Sequence, residues 1–266
     1  MNRDLDNKNR VLVGLMMIFA LLIFCTFVAW EERDTSEFWV KYVAKPVEQN
    51  VAKVEQDEEP EEVALTADTP MIALTFDDGP GGYTDELINL LEEYDSKATF
   101  FVLGSNVVKY PETIKRMDEL GHEIGNHSYY HPKLTDLPGD SVYYEIEWTN
   151  DAVQQVVGYR TKLVRPTYGA INDTVRANAA YPFAMWSVDT TDWERKDASQ
   201  IANYILTTVK DGDVVLLHDI HEFTLEAMKI VIPALKAQGY ELVTFSEMAE
   251  IHGVTMESGE KYFKFE

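Results

Sequence analysis

The sequence predicts an α/β fold with a parallel sheet arranged as a barrel, and two observations indicate it. Over residues 70–266, short apolar runs of strand length alternate with longer amphipathic segments of helix length. Several of the apolar runs end in a polar cluster, which is where parallel α/β folds present functional side chains. The stretch of about 195 residues has the length of one domain.

Clear boundary signals separate the predicted elements. Thr84 and Asp197 are predicted helix N-caps, Pro111 a helix start, and Gly121 and Gly239 helix ends. The predicted strands cover residues 71–74, 98–103, 123–125, 163–165, 183–188, 214–217 and 241–244. The predicted helices cover residues 84–95, 111–121, 140–157, 197–209 and 224–238.

An uncharged apolar segment at residues 11–30 precedes this domain. As a helix it would span about 30 Å, the thickness of one hydrocarbon core. Basic residues come before it and acidic residues follow it, so residues 1–10 are expected in the cytoplasm and the rest of the chain outside. We expect an uncleaved signal anchor in the cell membrane. The alternative is a cleaved signal peptide, which normally has a shorter apolar region and an A-x-A-like site.

Residues 31–69 are predicted to form an extracytoplasmic acidic linker, since the run 55–62 is too polar to bury a core. The whole chain carries a formal net charge of −23. Ordinary nucleic-acid binding needs a basic face, so that class of partner is excluded. Cys25, the single cysteine, lies in the apolar segment, so the domain at 70–266 can form no internal disulfide.

Two adjacent carboxylates, Asp77 and Asp78, stand where the first predicted strand ends, before the turn signal Gly79-Pro80. Like charges at this distance raise each other's pKa and favour a nearby cation. A metal ion would supply that cation and leave one carboxylate free to act as a base. A simple turn-forming pair is the alternative interpretation.

His127 and His131 are four residues apart, a spacing that places both imidazoles on one face of a helical turn. Together with Asp78 they would form a set of two histidines and one carboxylate, with coordination positions left open. Open positions are typical of catalytic metal sites. Zinc is the first choice of divalent metal, and iron, cobalt and manganese also suit these ligands.

Three further polar clusters follow apolar runs: Arg165–Gly169, Asp189–Trp193 and Leu216–Asp219. With these clusters, the chain from about Met71 to Ile251 resembles the NodB-type polysaccharide deacetylases, carbohydrate esterase family four. The motifs T-F-D-D-G-P, H-S-x-x-H, D-x-x-D-W and L-x-H-D are intact. The third motif departs from the family's R-x-P-Y, because Thr167 stands where the second proline is expected. The resemblance implies an incomplete, distorted (β/α) barrel.

The resemblance also implies a role for each motif residue. Asp78, His127 and His131 would hold the metal. Asp77 would be the general base, with Arg165 orienting it. His218 would be the general acid, and Asp189 would hold its imidazole. The backbone N–H of Tyr168 would stabilise the oxyanion, and Leu216 and Trp193 would wall the acetyl pocket together with Tyr168.

The expected activity is therefore metal-dependent N-deacetylation of an extracytoplasmic amino-sugar polymer, with peptidoglycan N-acetylglucosamine as first choice because the enzyme would be anchored beside the cell wall. A neutral N-acetylated glycan suits the acidic chain better than a polyanion does. The alternative substrates are peptidoglycan N-acetylmuramic acid, chitin oligomers, a β-1,6-linked N-acetylglucosamine polymer and O-acetylated xylan. A catalytically silent glycan-binding scaffold is an alternative of another class.

Overall fold

The computed structural model describes residues 65–266. The predicted membrane anchor, and all of the predicted linker up to residue 64, lie outside the described residues. The strands are β1 (Met71–Asp77), β2 (Thr99–Val102), β3 (Glu123–Asn126), β4 (Phe183–Ala184), β5 (Val188–Asp189), β6 (Val214–His218), β7 (Glu241–Leu242) and β8 (Lys261–Tyr262). The helices are α1 (Thr84–Glu93), α2 (Gly104–Lys109), α3 (Pro111–Glu119), α4 (Gly139–Val157), α5 (Asp173–Asn178), α6 (Asp192–Arg195), α7 (Ala198–Thr208), α8 (Glu222–Ala237) and α9 (Phe245–Ile251).

A parallel sheet with the strand order β3-β2-β1-β6-β5 forms the centre of the fold, which confirms the predicted parallel α/β class. β7 pairs in parallel with the first two residues of β1, and β4 pairs in parallel with β8. Single parallel bridges at Val164 connect β3 to β4, and an antiparallel bridge joins Asp213 to Lys264. These bridges connect the main sheet to the β4–β8 pair at two places, through β3 and through the residue before β6.

Side-chain alternation along β1 divides the core between the two faces of the sheet. Ile72, Leu74 and Phe76 pack with helices α1 and α8 in one apolar cluster. Met71 and Ala73 belong to a second cluster on the opposite face, with Phe101, Val214 and Phe245 among its members. Because strand side chains alternate with a period of two, Asp77 lies on the same face as Met71 and Ala73. The last residue of a fully buried strand thus places its carboxylate on the inner face.

Several boundaries differ from the sequence prediction for local reasons. Thr84 is not an N-cap, because its hydroxyl donates to Asp219 instead. The strand predicted at 163–165 is reduced to bridges at Val164, since Pro166 follows and has no amide hydrogen with which to extend a ladder. β7 ends at Leu242 because Thr244 becomes the N-cap of α9, in a capping box with Glu247.

Other boundary predictions are confirmed. Asp197 caps α7, its side chain accepting a hydrogen bond from the backbone of Gln200, and Pro111 is the first residue of α3. Among residues 65–266, no helix combines the length and the apolar character that a membrane crossing requires.

Candidate active site

The carboxylate of Asp77 is buried beneath the carboxyl end of the sheet, where it meets the guanidinium of Arg165. The Asp77 Oδ1 atom accepts a hydrogen bond from Arg165 Nη1 at 2.9 Å. The same Nη1 donates to the hydroxyl of Thr75 at 2.7 Å. Thr75 and Asp77 are two residues apart on β1, so both face inward and share one cation. Arg165 therefore makes the direct contact with Asp77 that its predicted orienting role requires.

Arg165 is itself completely buried, and the rest of its guanidinium is satisfied by the backbone. Its Nε donates to the carbonyl of Ala184 and its Nη2 to the carbonyl of Met185, both at 2.9 Å. The group also lies 4.0 Å above the ring of Phe101, a cation–π contact. A buried charge is tolerated where it is paired and fully hydrogen-bonded, and Arg165 meets both conditions.

Asp78, His127 and His131 converge at the mouth of the site, as predicted. Asp78 Oδ1 lies 3.3 Å from His131 Nε2 and 3.6 Å from His127 Nε2. This oxygen is buried and accepts no hydrogen bond from the residues that the structure describes. One ligand atom from each of the three side chains lies within 4.8 Å of the other two. A buried carboxylate oxygen without a donor, facing two imidazole nitrogens, fits a divalent metal ion.

A hydrogen bond to the backbone sets the tautomer of His127 that metal binding requires. Its Nδ1 lies 2.6 Å from the carbonyl of Arg165, which accepts a hydrogen bond from this nitrogen and leaves Nε2 with a free lone pair. Such second contacts orient metal-binding imidazoles in proteins generally. Burial lowers the pKa of His131, which favours the neutral ring that a cation needs.

The two histidines do not lie on a helical turn, which corrects the sequence-based expectation. β3 ends at Asn126, and the next five residues form a loop in which Ser128 and His131 have φ angles of 70° and 61°. Asp78 and Tyr168 also have positive φ, at 73° and 59°. Positive φ is costly for residues with a side chain and concentrates at functional sites.

Glu145 of α4 supports this loop, and the sequence did not single it out. Its Oε2 accepts the backbone N–H groups of Tyr129 and Tyr130 at 2.8 and 2.9 Å, between the two histidines. Glu145 is buried, so the two charge-assisted hydrogen bonds hold the loop without competition from water. No local pattern connects a helix residue to a loop 15 residues earlier.

His218, the predicted general acid, is held by Asp192 and not by Asp189. Asp192 Oδ1 lies 2.7 Å from His218 Nδ1, and Asp192 Oδ2 accepts the backbone N–H of His218 at 2.8 Å. Asp189 is exposed, and its Oδ1 accepts the backbone N–H of Thr191. The reason is positional: Asp189 ends β5, whereas Asp192 is the first, fully buried residue of α6.

The Asp192–His218 pair changes the acidity of both groups. Burial by itself lowers the pKa of His218, but the hydrogen bond to Asp192 and the charges of Asp192, Asp77 and Asp78 outweigh it and raise the pKa to about 9. Burial by itself raises the pKa of Asp192, but hydrogen bonds from His218 and Thr224 lower the pKa overall. A protonated imidazole beside an ionised carboxylate is the arrangement of a general acid at neutral pH.

A cavity of about 410 Å³ unites these groups. The predicted pocket residues Leu216, Trp193 and Tyr168 all line it, and so does Asp189. Leu216 is buried, whereas Trp193 and Tyr168 are more than half exposed. The ring of Tyr168 packs edge-on against His131, 4.9 Å between centroids. The sequence prediction did not include three further lining residues, Gly169, Trp186 and His221.

Thr167, the departure in the third motif, is buried and makes a specific contact. Its hydroxyl donates to the carbonyl of Pro132 at 2.5 Å, which ties the turn before Tyr168 to the residue after His131. Thr167 therefore joins the turn at Thr167–Gly169 to the end of the loop at residues 127–131, which we call the histidine loop.

Comparison with known proteins places this site in a family. Residues 64–183 match the polysaccharide deacetylase family. The chain is 42% identical over 193 residues to peptidoglycan-N-acetylmuramic acid deacetylase PdaC of Bacillus subtilis (strain 168), covering 72% of this chain and 41% of the relative. A solved structure of Bacillus subtilis PdaC superposes with a TM-score of 0.70 at 41% identity, covering 71% of this chain and 94% of that one.

Two other similar proteins carry different names. Peptidoglycan-N-acetylglucosamine deacetylase PgdA of Listeria monocytogenes (serotype 1/2a, strain 10403S) is 41% identical over 203 residues, 76% of this chain and 43% of that relative. A family 4 acetyl xylan esterase from Clostridium thermocellum, solved with a cobalt ion, has a TM-score of 0.69 at 34% identity, covering 73% of this chain and 98% of that one. The chain belongs to the polysaccharide deacetylase family, and it spans about two-fifths of the length of the PdaC and PgdA sequences.

Proposed function

We propose that this protein is a metal-dependent hydrolase that removes the N-acetyl group from an amino-sugar polymer, with N-acetylglucosamine of peptidoglycan as the preferred substrate. The acetamide C–N bond is broken by water, and the products are acetate and the free amine of the sugar.

Asp78, His127 and His131 hold the metal, with zinc as the first choice and cobalt, manganese and iron as alternatives. When bound, a divalent metal polarises the acetyl carbonyl and lowers the pKa of water from about 16 toward about 7. The fit rests on the buried Asp78 oxygen, which has no hydrogen-bond donor among residues 65–266, and on His127, whose Nε2 keeps a free lone pair because its Nδ1 donates to the Arg165 carbonyl.

The remaining steps belong to the chain's own side chains. Asp77 accepts the proton of the attacking water, and the hydrogen bond from Arg165 fixes that carboxylate in the cavity. His218 donates a proton to the departing nitrogen, and Asp192 holds its ring as the donor. The backbone N–H of Tyr168 stabilises the developing oxyanion, and Leu216 and Trp193 enclose the acetyl methyl group.

One observation carries the proposal: a base paired with a buried arginine and an acid paired with a buried aspartate line the same cavity as the candidate metal ligands. The raised pKa of His218, about 9, together with its place in the same cavity as the candidate metal ligands, favours a catalytic site over a silent scaffold. Peptidoglycan is favoured because PdaC and PgdA are named for it, and the xylan esterase makes O-acetyl ester hydrolysis the second candidate.

Acetate release by the purified full-length protein tests the activity. The protein is stripped with a chelator, reloaded with zinc or cobalt, and given peptidoglycan, chitin oligomers and acetylated xylan in parallel. We expect release from peptidoglycan that requires metal and disappears in Asp77→Asn. Release from xylan alone would mean that the protein is an O-acetyl esterase and not an N-deacetylase. Release from chitin oligomers alone would keep the reaction but make chitin oligomers, and not peptidoglycan, the substrate. Bound metal with no release from any of the three would favour the silent scaffold.

We further propose that residues 11–30 anchor the protein in the cell membrane as a single span, with the N-terminus in the cytoplasm and the domain facing the cell wall. The uncharged segment and the basic residues before it support this orientation. In bacterial spheroplasts, added protease should digest the domain while the protein stays with the membrane fraction. A protease-resistant domain, or a cleaved protein found in the medium, would contradict the anchor.

A further inference from the structure

A second cavity, of about 430 Å³, lies beside the candidate active site, between α2, the histidine loop and α4. Its aromatic walls are Tyr129 and Tyr130 from the loop and Trp148 from α4. Asp151 and Gln155, on the next turns of α4, supply polar groups. Pockets for small ligands combine apolar walls with a few such polar groups, and their volumes fall in the same range.

Two aromatic side chains of this cavity, and Tyr144 next to it, are strongly exposed. Tyr130 is 68% exposed, Tyr144 49% and Trp148 47%. The rings of Tyr144 and Trp148 are stacked, with centroids 5.4 Å apart, and Tyr129 meets Trp148 edge-on at 6.0 Å. Large apolar side chains clustered at a surface mark a site of interaction. We call the set Tyr129, Tyr130, Tyr144 and Trp148 the aromatic platform.

The aromatic platform is held in place by the elements that build the active site. The ring of Tyr129 lies where a Cβ at Gly104 would stand, only 2.3 Å from that position, so Gly104 is what admits the ring. The Glu145 carboxylate fixes the backbone of Tyr129 and Tyr130. A rigid platform binds at a smaller entropic cost than a flexible one.

The aromatic platform is also continuous with the candidate metal site. Tyr129 and Tyr130 lie between His127 and His131 in the chain, so the Cα atoms of Tyr130 and His131 are about 3.8 Å apart. One loop of five residues thus lines both cavities, with His127 and His131 in the first and Tyr129 and Tyr130 in the second. We propose that the aromatic platform is a glycan subsite, which binds a sugar residue of the same chain at a distance from the residue that reacts.

The chemistry of a neutral sugar suits this surface. The C–H face of a pyranose ring is apolar and its hydrogens carry partial positive charge, so it packs on the negative face of an aromatic ring. Sugar hydroxyl groups hydrogen-bond to carboxylate and amide groups such as those of Asp151 and Gln155. The formal net charge of −23 disfavours a polyanionic occupant. This inference rests on the proposed function.

Chain length tests the subsite. Acetate release is measured on N-acetylglucosamine hexamer and dimer, with Trp148→Ala and Tyr144→Ala as variants. Loss of one stacking contact should raise KM for the hexamer about threefold to tenfold, with a smaller effect on the dimer, which has only one sugar besides the one that reacts. Trp148→Phe should restore most of the hexamer KM, because it keeps an aromatic ring. Phe263→Ala removes an exposed aromatic side chain that lines neither cavity and serves as the control.

Binding is measured separately, so that the subsite and the proposed function can fail independently. Calorimetry with the hexamer uses Asp77→Asn, alone and combined with Trp148→Ala, and we expect the second protein to bind threefold to tenfold more weakly. Equal hexamer affinity in the two proteins would overturn the subsite. The subsite would also be overturned if sedimentation showed that the protein forms a dimer and that Trp148→Ala dissociates this dimer without weakening hexamer binding. Absence of acetate release from every substrate, with hexamer binding still dependent on Trp148, would count against the proposed function alone.

Discussion

Asp192 holds His218 by its ring and by its backbone at once. One carboxylate oxygen contacts His218 Nδ1 at 2.7 Å, and the other accepts the backbone N–H at 2.8 Å. The second oxygen also accepts the hydroxyl of Thr224 at 2.7 Å, and the first accepts the backbone N–H of Trp193 at 2.9 Å, so both oxygens of this buried carboxylate are hydrogen-bonded. Asp192 therefore fixes the position of His218, and together with the charges of Asp77 and Asp78 it raises the pKa of that ring.

Asp192→Asn should lower kcat/KM by about 100-fold or more, the usual contribution of a positioned acid. The amide oxygen can keep the backbone and Thr224 hydrogen bonds, which turns the amide NH₂ toward His218 Nδ1 and disfavours the protonated ring. Asp189→Asn is the matched control, since its side chain does not contact His218. A larger loss in Asp189→Asn than in Asp192→Asn would restore the role predicted from the sequence.

The same pair predicts the alkaline limit of activity. His218 must carry its proton to act as an acid, and its pKa is raised to about 9, so kcat/KM should fall as the pH rises through about 9. In Asp192→Asn the raising effect of the carboxylate is lost, and the fall should begin at lower pH. The pH profiles of the two zinc-loaded proteins check this, and an unmoved alkaline limb would show that another group titrates there.

Arg165→Met should destabilise the fold, because it leaves the buried Asp77 carboxylate without a partner. Breaking a buried ion pair typically costs about 3–5 kcal/mol of unfolding free energy, and Arg165 also holds two backbone carbonyls. Urea denaturation measures the loss. The double variant Arg165→Met with Asp77→Asn removes both charges and should regain part of the stability. If it regains none, the backbone hydrogen bonds and not the pair account for the effect.

Glu145→Ala should weaken metal binding about 10-fold to 100-fold, the usual effect of removing a group that orients metal ligands. The side chain contacts no ligand atom, but it fixes the loop between His127 and His131. Competition with a chromogenic zinc chelator measures the affinity. Glu145→Gln keeps one acceptor oxygen and should lose less, and Glu147→Gln controls for the charge on α4. Equal losses in all three would point to a general effect of charge.

The contrast between Asp78 and Asp192 explains which parts of the site the sequence could predict. Asp77 and Asp78 are adjacent at the end of one strand, so their common location follows from the local pattern alone. Asp189 is the last residue of β5 and Asp192 comes three residues later, and the choice between them depends on where α6 begins in three dimensions. Glu145 illustrates the same limit, because only the packing of α4 against the histidine loop brings it to the site.

For the fold, long periodic segments such as α4 and buried strands such as β1 could be predicted, because the spacing of apolar residues within each segment indicates its secondary structure and its burial. Pairings made by one or two residues could not. Val164 joins β3 to β4 through single bridges, and nothing in the sequence around Val164 distinguishes such a bridge from a longer strand. The helical turn expected for the two histidines was wrong for a related reason, because their convergence depends on positive φ at Ser128 and His131.

His122 should make the protein acid-sensitive. It is buried against Phe100, its Nε2 has no partner among the described residues, and burial, with the charges of Lys97 and Arg116, lowers its pKa from 6.5 to about 4. Between pH 6.5 and 4 the unfolded chain binds a proton at this position that the folded one does not, so the free energy of unfolding falls as the pH drops. The full effect is about 3 kcal/mol.

Urea denaturation of wild type and His122→Gln from pH 8 to pH 4 tests this contribution. Any packing lost by the substitution lowers stability equally at every pH, so it is subtracted by comparing each protein with itself at pH 8. We expect the wild type to lose about 3 kcal/mol more than His122→Gln over this range, because the glutamine takes up no proton in the unfolded state. Parallel pH profiles for the two proteins would mean that His122 titrates alike in the folded and unfolded states.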